Sequence, residues 1–365
     1  MKGCTGRSLQ LFALIVFVWV SFSSGQTPQP AGIGTIEELQ VPAPSLAGNL
    51  LGDPAIQRVY VYLPPGYKRD TTRRYPTLYS LHGYDGNAEL WTKHPDRGMN
   101  LPASMDQLIA KGTAAEMIIV APNGRNAFLG GFYSNSPVTG NWEDYIYRDV
   151  VKFIDERYRT IAKPASRGIV GHSMGGYGAF MLAMKHPDVF GAVYALSPCC
   201  LGLEGDLSED NPAWAQAAKM TSRDLFSRSP ESFEEFMSGA MIAISAAFTP
   251  NKTRSPLYAD LPFIDKNGSL VKNEPVYFQF RAKMPLYLIE QHRDNLMKLR
   301  GIFIDVGQFD EFTHIKRTTP MLSAELSKFG IPHSFEIFAG GDHQNKVKER
   351  FTTKVVPFFT TFLEK

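Results

Sequence analysis

The sequence predicts an α/β fold in which helices cover both faces of a mostly parallel sheet. Three observations support this prediction. Short apolar runs that are typical of buried strands alternate with segments of helical spacing along most of the chain. The pentapeptide Gly-His-Ser-Met-Gly at 171–175 lies between one apolar run and one helical segment. Two later apolar runs end in loops that contain Asp310 and His343, where the carboxyl ends of parallel strands gather.

Each predicted strand is a short apolar run that stops at turn residues, as 58–63 stops at a Pro-Pro-Gly turn. The predicted strands, in chain order, are 58–63, 75–81, 117–120, 169–171, 193–196, 302–306 and 335–338. Apolar residues at helical spacing predict helices over 101–111, 142–158, 176–184, 319–329 and 346–363, the last bent at Pro357.

Residues 201–300 depart from the alternation of strands and helices because they contain no convincing sheet strand. A structureless loop of that length is improbable in a compact domain. Helix start signals occur in it, and they predict helices after Asn211-Pro212, over 233–248 and over 284–299. We therefore expect a helical insertion, or lid, over the carboxyl ends of the strands, with an irregular stretch over 249–276 on the surface.

The composition is that of a globular protein with a large core. The chain has 365 residues, of which 44% are hydrophobic, and we expect one α/β domain over 58–365. The formal net charge is +2, and no basic stripe is present, which argues against nucleic acid as a partner. The sequence leaves the oligomeric state open.

The N-terminus is typical of an export signal. Lys2 and Arg7 precede an apolar segment over 9–20, and the small residues Ser-Ser-Gly follow at 23–25. The apolar segment is short for a membrane span, which needs about 20 residues. We expect a signal peptide over 1–25, cleaved near Gly25, and a secreted or periplasmic mature chain without an integral membrane span. A retained anchor is the alternative, and 26–57 is expected to be a leader and N-terminal segment.

Cysteine is sparse. Cys4 lies in the predicted signal, whereas Cys199 and Cys200 are neighbours in the chain. Neighbouring residues rarely satisfy disulfide geometry, so no disulfide framework is expected despite predicted export. The pair is expected to be two small buried residues at a strand end.

Ser173 is the predicted nucleophile. A tight turn between a strand and a helix exposes one hydroxyl and leaves no room for neighbouring side chains, which explains the glycines at 171 and 175. A serine hydroxyl needs a base, and the base needs a carboxylate. In such sheets the chain order is serine, acid, histidine, which favours Asp310 and His343. Asp305 and Glu311 are the rival acids.

The transition state of acyl transfer needs backbone N–H groups that face its oxyanion. We expect one donor at Met174, directly after the nucleophile, and the second at Tyr84, in the loop after an early strand. The nearby His82 is expected to shape that loop, and His172 to point away from the serine. No His, Cys or Asp cluster has a recognisable metal-ligand spacing, so no metal or cofactor is predicted.

These motifs resemble the esterase D-like branch of the α/β-hydrolase superfamily. That branch includes S-formylglutathione hydrolases, feruloyl esterases, enterochelin esterases and the antigen 85 mycolyltransferases. The resemblance rests on Leu-His-Gly at 81–83, on 171–179, on Gly-Gln-Phe-Asp-Glu-Phe at 307–312 and on Gly-Gly-Asp-His at 340–343. It implies an α/β-hydrolase fold with the same nucleophile, acid, base and oxyanion donors. The insertion over 201–300 looks longer than usual, so the resemblance does not imply a substrate.

The leading hypothesis is a secreted serine carboxylic-ester hydrolase that acts on a small or polymer-linked ester. An acyltransferase of the mycolyltransferase type, and a catalytically silent binding protein, are the alternatives. Seven aromatic residues of the insertion are candidates for lining an apolar pocket, and we expect about two of them to contact a ligand and the others to serve packing: Trp214, Phe226, Phe233, Phe236, Phe248, Tyr258 and Phe263.

Overall fold

A twisted eight-stranded sheet forms the centre of the molecule, as seen in a computed structural model that describes residues 1, 3, 33–92 and 100–365. The predicted signal peptide therefore lies outside the described residues, apart from residues 1 and 3. The strands are β1 (Thr35–Pro42), β2 (Ile56–Leu63), β3 (Thr77–Leu81), β4 (Ile118–Pro122), β5 (Arg167–His172), β6 (Ala192–Leu196), β7 (Gly301–Gly307) and β8 (Ser334–Phe338).

The spatial order of the strands is β1-β2-β4-β3-β5-β6-β7-β8. The pairs from β4 to β8 are parallel, and β2 pairs antiparallel with both β1 and β4. The register places Leu81 opposite Gly171, His172 opposite Leu196, and Gly307 opposite Phe338. The carboxyl ends of β3, β5, β6, β7 and β8 therefore meet at one edge, which is where such sheets hold their functional groups.

Helices cover both faces of the sheet. The α-helices span Glu89–Thr92, Leu101–Ala110, Trp142–Asp144, Val151–Arg157, Met174–Lys185, Ala213–Lys219, Phe233–Phe248, Glu274–Arg281, Arg293–Leu296, Thr313–Lys328, Val347–Arg350 and Val356–Phe362. Two π-helical turns, Tyr145–Val150 and Phe351–Val355, continue adjoining helices, and the second lies just before Pro357. Short 3-10 turns occur at Pro44–Leu46, Pro164–Ser166, Gly205–Leu207, Asp224–Ser227 and Pro285–Tyr287. Among the described helices, none has the length and apolarity needed to cross a bilayer.

Side chains alternate between two buried clusters along the strands, as the period of two requires. In β2, Val59 and Val61 belong to one cluster, whereas Tyr60 and Tyr62 belong to the other. The first cluster includes the helix Met174–Lys185, and the second includes helices at the C-terminus. The predicted α/β architecture, with helices on both faces of a mostly parallel sheet, is confirmed.

The strand β1 was not predicted, because 35–42 was assigned to the N-terminal segment. It pairs with β2 along its full length, from Thr35 opposite Leu63 to Pro42 opposite Ile56. Most of its side chains are partly exposed, so the sequence lacks the apolar run of a buried strand. The remaining predicted strands and the helices 101–111 and 142–158 agree with the structure within a few residues.

Residues 197–300 join β6 to β7 and add no strand to the main sheet, as expected. The helix Phe233–Phe248 is present, and the Ser232 side chain caps its first turn. The helix predicted over 284–299 is wrong, since that stretch holds only the turn Pro285–Tyr287 and the short helix Arg293–Leu296. The stretch predicted as irregular contains the hairpin Phe263–Lys266 with Ser269–Lys272.

Candidate active site

Ser173 occupies the sharp turn between β5 and the helix Met174–Lys185. Its φ of 58° lies in the left-handed region that a residue with a Cβ rarely adopts. The surrounding backbone holds this conformation, because Ser173 N donates to Leu196 O at 3.0 Å and Ser173 O accepts from Tyr177 N at 3.0 Å. Such strain persists only where the core over-determines it, and it exposes the hydroxyl at the sheet edge.

The glycines beside Ser173 are required by close backbone contacts. A Cβ on Gly171 would lie 2.0 Å from Gly175 O, and a Cβ on Gly175 would lie 2.1 Å from Leu81 O. Both distances are far shorter than any contact that a Cβ atom makes in real proteins. The turn is therefore pressed against the end of β3, which explains the pentapeptide pattern physically.

Asp310 and His343 lie in contact although 33 residues separate them. His343 Nδ1 is 2.9 Å from Asp310 Oδ2, and both side chains are buried. The other oxygen of this carboxylate accepts from Phe312 N at 3.0 Å. Because a carboxylate only accepts, the contact assigns the proton to Nδ1 and leaves His343 Nε2 free to take up a proton.

The two loops that carry this pair support each other. Phe309 N donates to Gly341 O at 2.7 Å, which joins the loop after β7 to the loop after β8. Glu311, one of the rival acids, accepts from His343 N at 3.1 Å through its side chain. It therefore holds the histidine loop through the backbone and does not contact the imidazole.

Asp305, the other rival acid, belongs to a different network. Arg350 Nη2 donates to Asp305 Oδ2 at 2.6 Å, and Tyr194 Oη donates to the same oxygen at 2.6 Å. Burial raises the pKa of Asp305 to about 6, against the opposing effect of Arg350. This buried ion pair ties β7 to the C-terminal helix, and the carboxylate does not contact His343.

The loop after β3 lies directly beside the nucleophile. A Cβ on Gly83 would be 3.2 Å from Ser173 Cβ. His82 fixes this turn: its Nδ1 lies 2.8 Å from Gly83 O, and its Nε2 accepts from Gly124 N at 2.7 Å. Burial lowers the pKa of His82 to about 4, so its ring is neutral at physiological pH.

The two predicted oxyanion donors are Met174, which follows Ser173 in the chain, and Tyr84, which follows Gly83. Met174 is the first residue of its helix, and the first N–H groups of a helix have no intrahelical acceptor. Tyr84 lines the same cavity as Ser173 and stacks on Phe132, with ring centroids 5.7 Å apart. Neither role is tested by these contacts, and both stay predictions.

His172 points away from the nucleophile toward the histidine loop. Its Nε2 donates to His343 O at 2.7 Å, and the two imidazole rings lie 4.5 Å apart. Burial, with His343 nearby, lowers the pKa of His172 to about 3. A neutral ring therefore links the nucleophile turn to the loop of the predicted base.

A cavity of about 310 Å³ opens over these groups and is lined by both Ser173 and His343. Its wall combines aromatic side chains, among them Tyr84, Phe132 and Phe312, with polar ones such as Asp85 and Glu89. The insertion contributes Leu207 and one side of the helix Phe233–Phe248: Phe236, Met237, Ala240 and Ile244. Such a cavity with a few polar groups is typical of a small-molecule site.

Of the seven aromatic residues of the insertion named in the sequence analysis, Phe236 alone lines this cavity. Trp214 instead packs against Phe263 and Phe280, and Phe248 packs against Tyr177. The expectation that most of them serve packing agrees with these contacts. Sequence reasoning missed Cys199, Cys200 and His314, which also line the cavity. Among the described residues, no group of three or more His, Cys, Asp or Glu side chains is arranged to hold a metal ion.

Comparison with known proteins supports the fold and a family. A family model described as "Putative esterase" matches residues 56–355. An endo-1,4-beta-xylanase/feruloyl esterase of Xylanibacter ruminicola is 31% identical over 140 residues, which are 37% of this chain and 19% of that protein. An esterase of Mycobacterium tuberculosis is 30% identical over 183 residues, 44% of this chain and 37% of that protein. The chain thus spans well under half the length of these curated relatives.

Solved structures match over nearly the whole chain. A ferulic acid esterase has a TM-score of 0.61 at 20% identity and covers 91% of this chain and 100% of its own. An S-formylglutathione hydrolase from Agrobacterium tumefaciens has a TM-score of 0.57 at 16% identity and covers 93% of this chain and 99% of its own. At such identities the likeness concerns the fold, and it confirms the α/β-hydrolase fold.

Proposed function

The chain belongs to the esterase family whose model matches residues 56–355, and on that premise we propose that it is a serine carboxylic-ester hydrolase. The observation that carries the proposal is the buried contact of His343 with Asp310, at 2.9 Å, beside a cavity that Ser173 also lines. This contact supports the proposed roles of Ser173 as nucleophile, His343 as base and Asp310 as acid, because acyl transfer requires these three groups at one edge of the sheet.

In the proposed mechanism, Ser173 Oγ attacks the ester carbonyl carbon while His343 Nε2 takes the hydroxyl proton. The Asp310 carboxylate keeps the other ring proton on Nδ1 and stabilises the imidazolium that forms. The imidazolium then protonates the leaving alcohol as the carbon–oxygen bond breaks, which leaves an acyl-enzyme. Water, deprotonated by the same imidazole, releases the acid and restores Ser173.

The oxyanion of both tetrahedral intermediates would accept from Met174 N and Tyr84 N. Met174 N lies at the positive end of the dipole of the helix Met174–Lys185, and this dipole adds to the stabilisation of the oxyanion. His82 and His172 flank the site as neutral rings, so neither of them adds a positive charge at the oxyanion.

The cavity wall indicates the class of acyl group. Tyr84 packs edge-to-face on Phe236 with centroids 5.6 Å apart, and Phe312 lies 6.0 Å from Phe236. Aromatic surfaces in this arrangement favour a flat apolar group over a flexible charged one. We propose aryl or arylalkenyl carboxylic esters as the preferred substrates, which agrees with the feruloyl esterase named among the relatives.

An active-site-directed phosphonate tests the nucleophile directly. We expect the phosphonate to label wild-type protein at Ser173 and to leave the folded Ser173→Ala variant unlabelled. Absence of label on folded wild-type protein would favour the silent binding protein and sink the proposal. Methyl ferulate and p-nitrophenyl esters of graded chain length then report the acyl preference, and a preference for long unbranched chains would contradict an aromatic site.

Hydrolysis and acyl transfer share the acyl-enzyme, so they differ only in the acceptor. A turnover assay with an added polyol separates them, because a hydrolase yields mainly the free acid even when the alcohol is abundant. Transferred ester in excess over acid would make the protein an acyltransferase that uses the same three residues.

We further propose that the chain is exported. The support is the basic start at Lys2 and Arg7, the apolar segment over 9–20 and the small residues Ser-Ser-Gly at 23–25. N-terminal sequencing of protein recovered outside the cytoplasm is expected to begin near residue 26. Full-length protein retained in the cytoplasm would contradict export.

A further inference from the structure

The cavity holds a second nucleophile beside Ser173. The thiols of Cys199 and Cys200 both line it, and their sulfur atoms lie 2.7 Å apart. Both cysteines are free and buried. The loop that carries them is anchored to the serine turn, since Cys199 N donates to Ser173 O at 3.1 Å.

An imidazole, that of His314, and a carboxylate, that of Asp206, lie near Cys199. The buried ring of His314 lines the cavity together with Cys199 and lies against Asp206, with Nδ1 3.2 Å from Asp206 Oδ2. Because Nδ1 serves the carboxylate, Nε2 is left for the sulfur. Asp206 is itself oriented by Thr313 Oγ1, which donates to it at 2.7 Å. The order carboxylate, imidazole, thiol parallels that of Asp310, His343 and Ser173.

The charges of this cluster favour a thiolate on one sulfur only. Burial raises the pKa of Cys199, but hydrogen bonds from Cys200 and His314 outweigh it and bring that pKa to about 6. Burial and the neighbouring Cys199 raise the pKa of Cys200 well above its ordinary value. The titratable groups that face Cys199 are Cys200, His314, the more distant His343 and Tyr177. A thiolate beside a protonated thiol is the arrangement that thiol–disulfide exchange uses.

We propose that Cys199 is a modification site for small disulfides inside the ester-binding cavity, and that the modified thiol closes onto Cys200 and switches the esterase off. The proposal goes beyond ester chemistry, and its chemical readout does not depend on the proposed hydrolase function. It needs an oxidant of the class R–S–S–R, which the surroundings of an exported protein can supply.

The exchange balances in two steps. The Cys199 thiolate attacks one sulfur of the disulfide, the old S–S bond breaks, and the leaving thiolate takes the proton of His314. The Cys200 sulfur then attacks Cys199 Sγ, and its thiol proton leaves with the second R–S group. The two cysteines are oxidised to a disulfide, and R–S–S–R is reduced to two thiols.

The product is expected to be readily reversible. Neighbouring Cα atoms lie about 3.8 Å apart, below the usual disulfide range, so a bond between adjacent cysteines is strained and easily reduced. Cys200 already has a φ of 56°, and the intervening backbone must adjust when the ring closes. Since Cys199 N is bonded to Ser173 O, that adjustment reaches the nucleophile turn directly.

The chemical test uses single-cysteine variants of the full chain. Serine keeps a hydroxyl donor, so Cys200→Ser isolates Cys199 and Cys199→Ser isolates Cys200, while Cys4 lies on a separate peptide. With iodoacetamide at pH 7, we expect Cys199 to react at least about tenfold faster than Cys200. With 2-hydroxyethyl disulfide, Cys200→Ser should stop at a mixed disulfide, whereas wild type should lose only its two thiol hydrogens. Equal alkylation rates, or no adduct on Cys199, overturn the proposal.

The role of His314 has its own readout. The alkylation rate of Cys199 in Cys200→Ser should level off above a midpoint near pH 6. Adding His314→Asn should move that midpoint upward by about one unit or more, because the imidazolium no longer stabilises the thiolate. Adding Asp310→Asn instead is the matched control, since it disturbs His343, the weakest of the groups that lower the pKa of Cys199, and should move the midpoint by clearly less than His314→Asn does. A midpoint that does not respond to His314→Asn contradicts the assignment.

The switch is measured as the ester turnover of each treated protein divided by the turnover of the same protein before treatment. Wild type treated with 2-hydroxyethyl disulfide should lose at least about tenfold in ester turnover and recover with dithiothreitol. The ratio for Cys199→Ser should stay near one. If disulfide forms in wild type and turnover is unchanged, the modification site stands but the switch is refuted. If turnover is absent before treatment, the hydrolase proposal fails and the alkylation results still decide this one.

Discussion

Replacement of Asp310 by Asn is the sharpest probe of the proposed mechanism, because the carboxylate has no spare oxygen. One oxygen accepts from Phe312 N at 3.0 Å and the other from His343 Nδ1 at 2.9 Å. An amide offers only one acceptor oxygen, and its NH2 group must face one of the two donors. If the oxygen stays on Phe312 N, the NH2 meets His343 Nδ1, which must then lose its proton and become an acceptor.

The consequence follows from the tautomer. A neutral imidazole that accepts at Nδ1 carries its proton on Nε2, so it cannot take the proton of Ser173. The equivalent exchange in a Ser-His-Asp protease lowers turnover by about 10⁴-fold, or about 5.5 kcal/mol of transition-state stabilisation. We expect a loss of similar size here with p-nitrophenyl acetate, and a folded protein by circular dichroism.

Glu311→Gln provides the matched control. That side chain accepts only from His343 N, at 3.1 Å, and the amide oxygen of glutamine can replace it. Turnover within about threefold of wild type is expected, since one neutral hydrogen bond replaces a charged one. If Asp310→Asn keeps more than about a tenth of the activity, or if Glu311→Gln loses as much as Asp310→Asn, then Asp310 is not the acid of the triad.

Three further predictions concern the backbone strain at Ser173, the close packing at Gly175 and the burial of Asp53. Ser173→Gly and Ser173→Ala should both abolish turnover, but glycine should be more stable by about 1 kcal/mol in urea melts because of the φ of 58°; equal stability argues against strain. Gly175→Ala should destabilise by about 2–3 kcal/mol, since its Cβ would lie 2.1 Å from Leu81 O, whereas Gly239→Ala meets a flexible side chain and should stay within about 1 kcal/mol. Burial raises the pKa of Asp53 from 3.8 to about 6, so its contribution to stability is present below pH 3.8 and lost as pH rises through 6. Asp53→Asn should therefore be more stable than wild type at pH 7, by less than about 3 kcal/mol, with the difference vanishing near pH 3.

The central strands could be predicted because their burial on both faces makes them continuous apolar runs. The hairpin after Phe263 was missed although its sequence signal is strong. Its turn is Asn267-Gly268, with φ values of 54° and 84°, and this dipeptide favours a two-residue hairpin turn. The nearby prolines suggested an irregular stretch instead. The Asn267-Gly268 turn signal therefore predicts this segment better than the nearby prolines do.

The helix predicted over 284–299 failed for a non-local reason. Leu286 N donates to Leu201 O at 3.1 Å, a contact between segments far apart in the chain. That N–H serves a long-range bond, and the chain continues through Pro285–Tyr287 as a single 3-10 turn. Periodicity within a window cannot reveal such a competitor, since tertiary contacts override local propensity.

The residues of the candidate site likewise fall into those that chain order predicts and those whose position depends on tertiary packing. Ser173, Asp310 and His343 follow strands whose carboxyl ends must converge, so their proximity follows from chain order and sheet direction. The position of Asp206 beside His314 has no such rule, because it depends on how the insertion packs on the helix Thr313–Lys328. A turn at Gly205–Leu207 makes that contact, and nothing in the sequence predicts its register.

The two proposed nucleophiles lie in one hydrogen-bonded piece of strained backbone, which gives a physical route for the proposed coupling between them. Ser173, Ser197 and Cys200 all have positive φ values, of 58°, 41° and 56°. Ser173 N bonds to Leu196 O, and Ser173 O accepts from Cys199 N, so the serine turn and the cysteine loop form one hydrogen-bonded unit. Residues in such conformations persist only while their surroundings hold them. A bond that forces the cysteine loop to change must therefore either move Ser173 or break its hydrogen bond to Cys199, and this is the physical basis of the proposed switch.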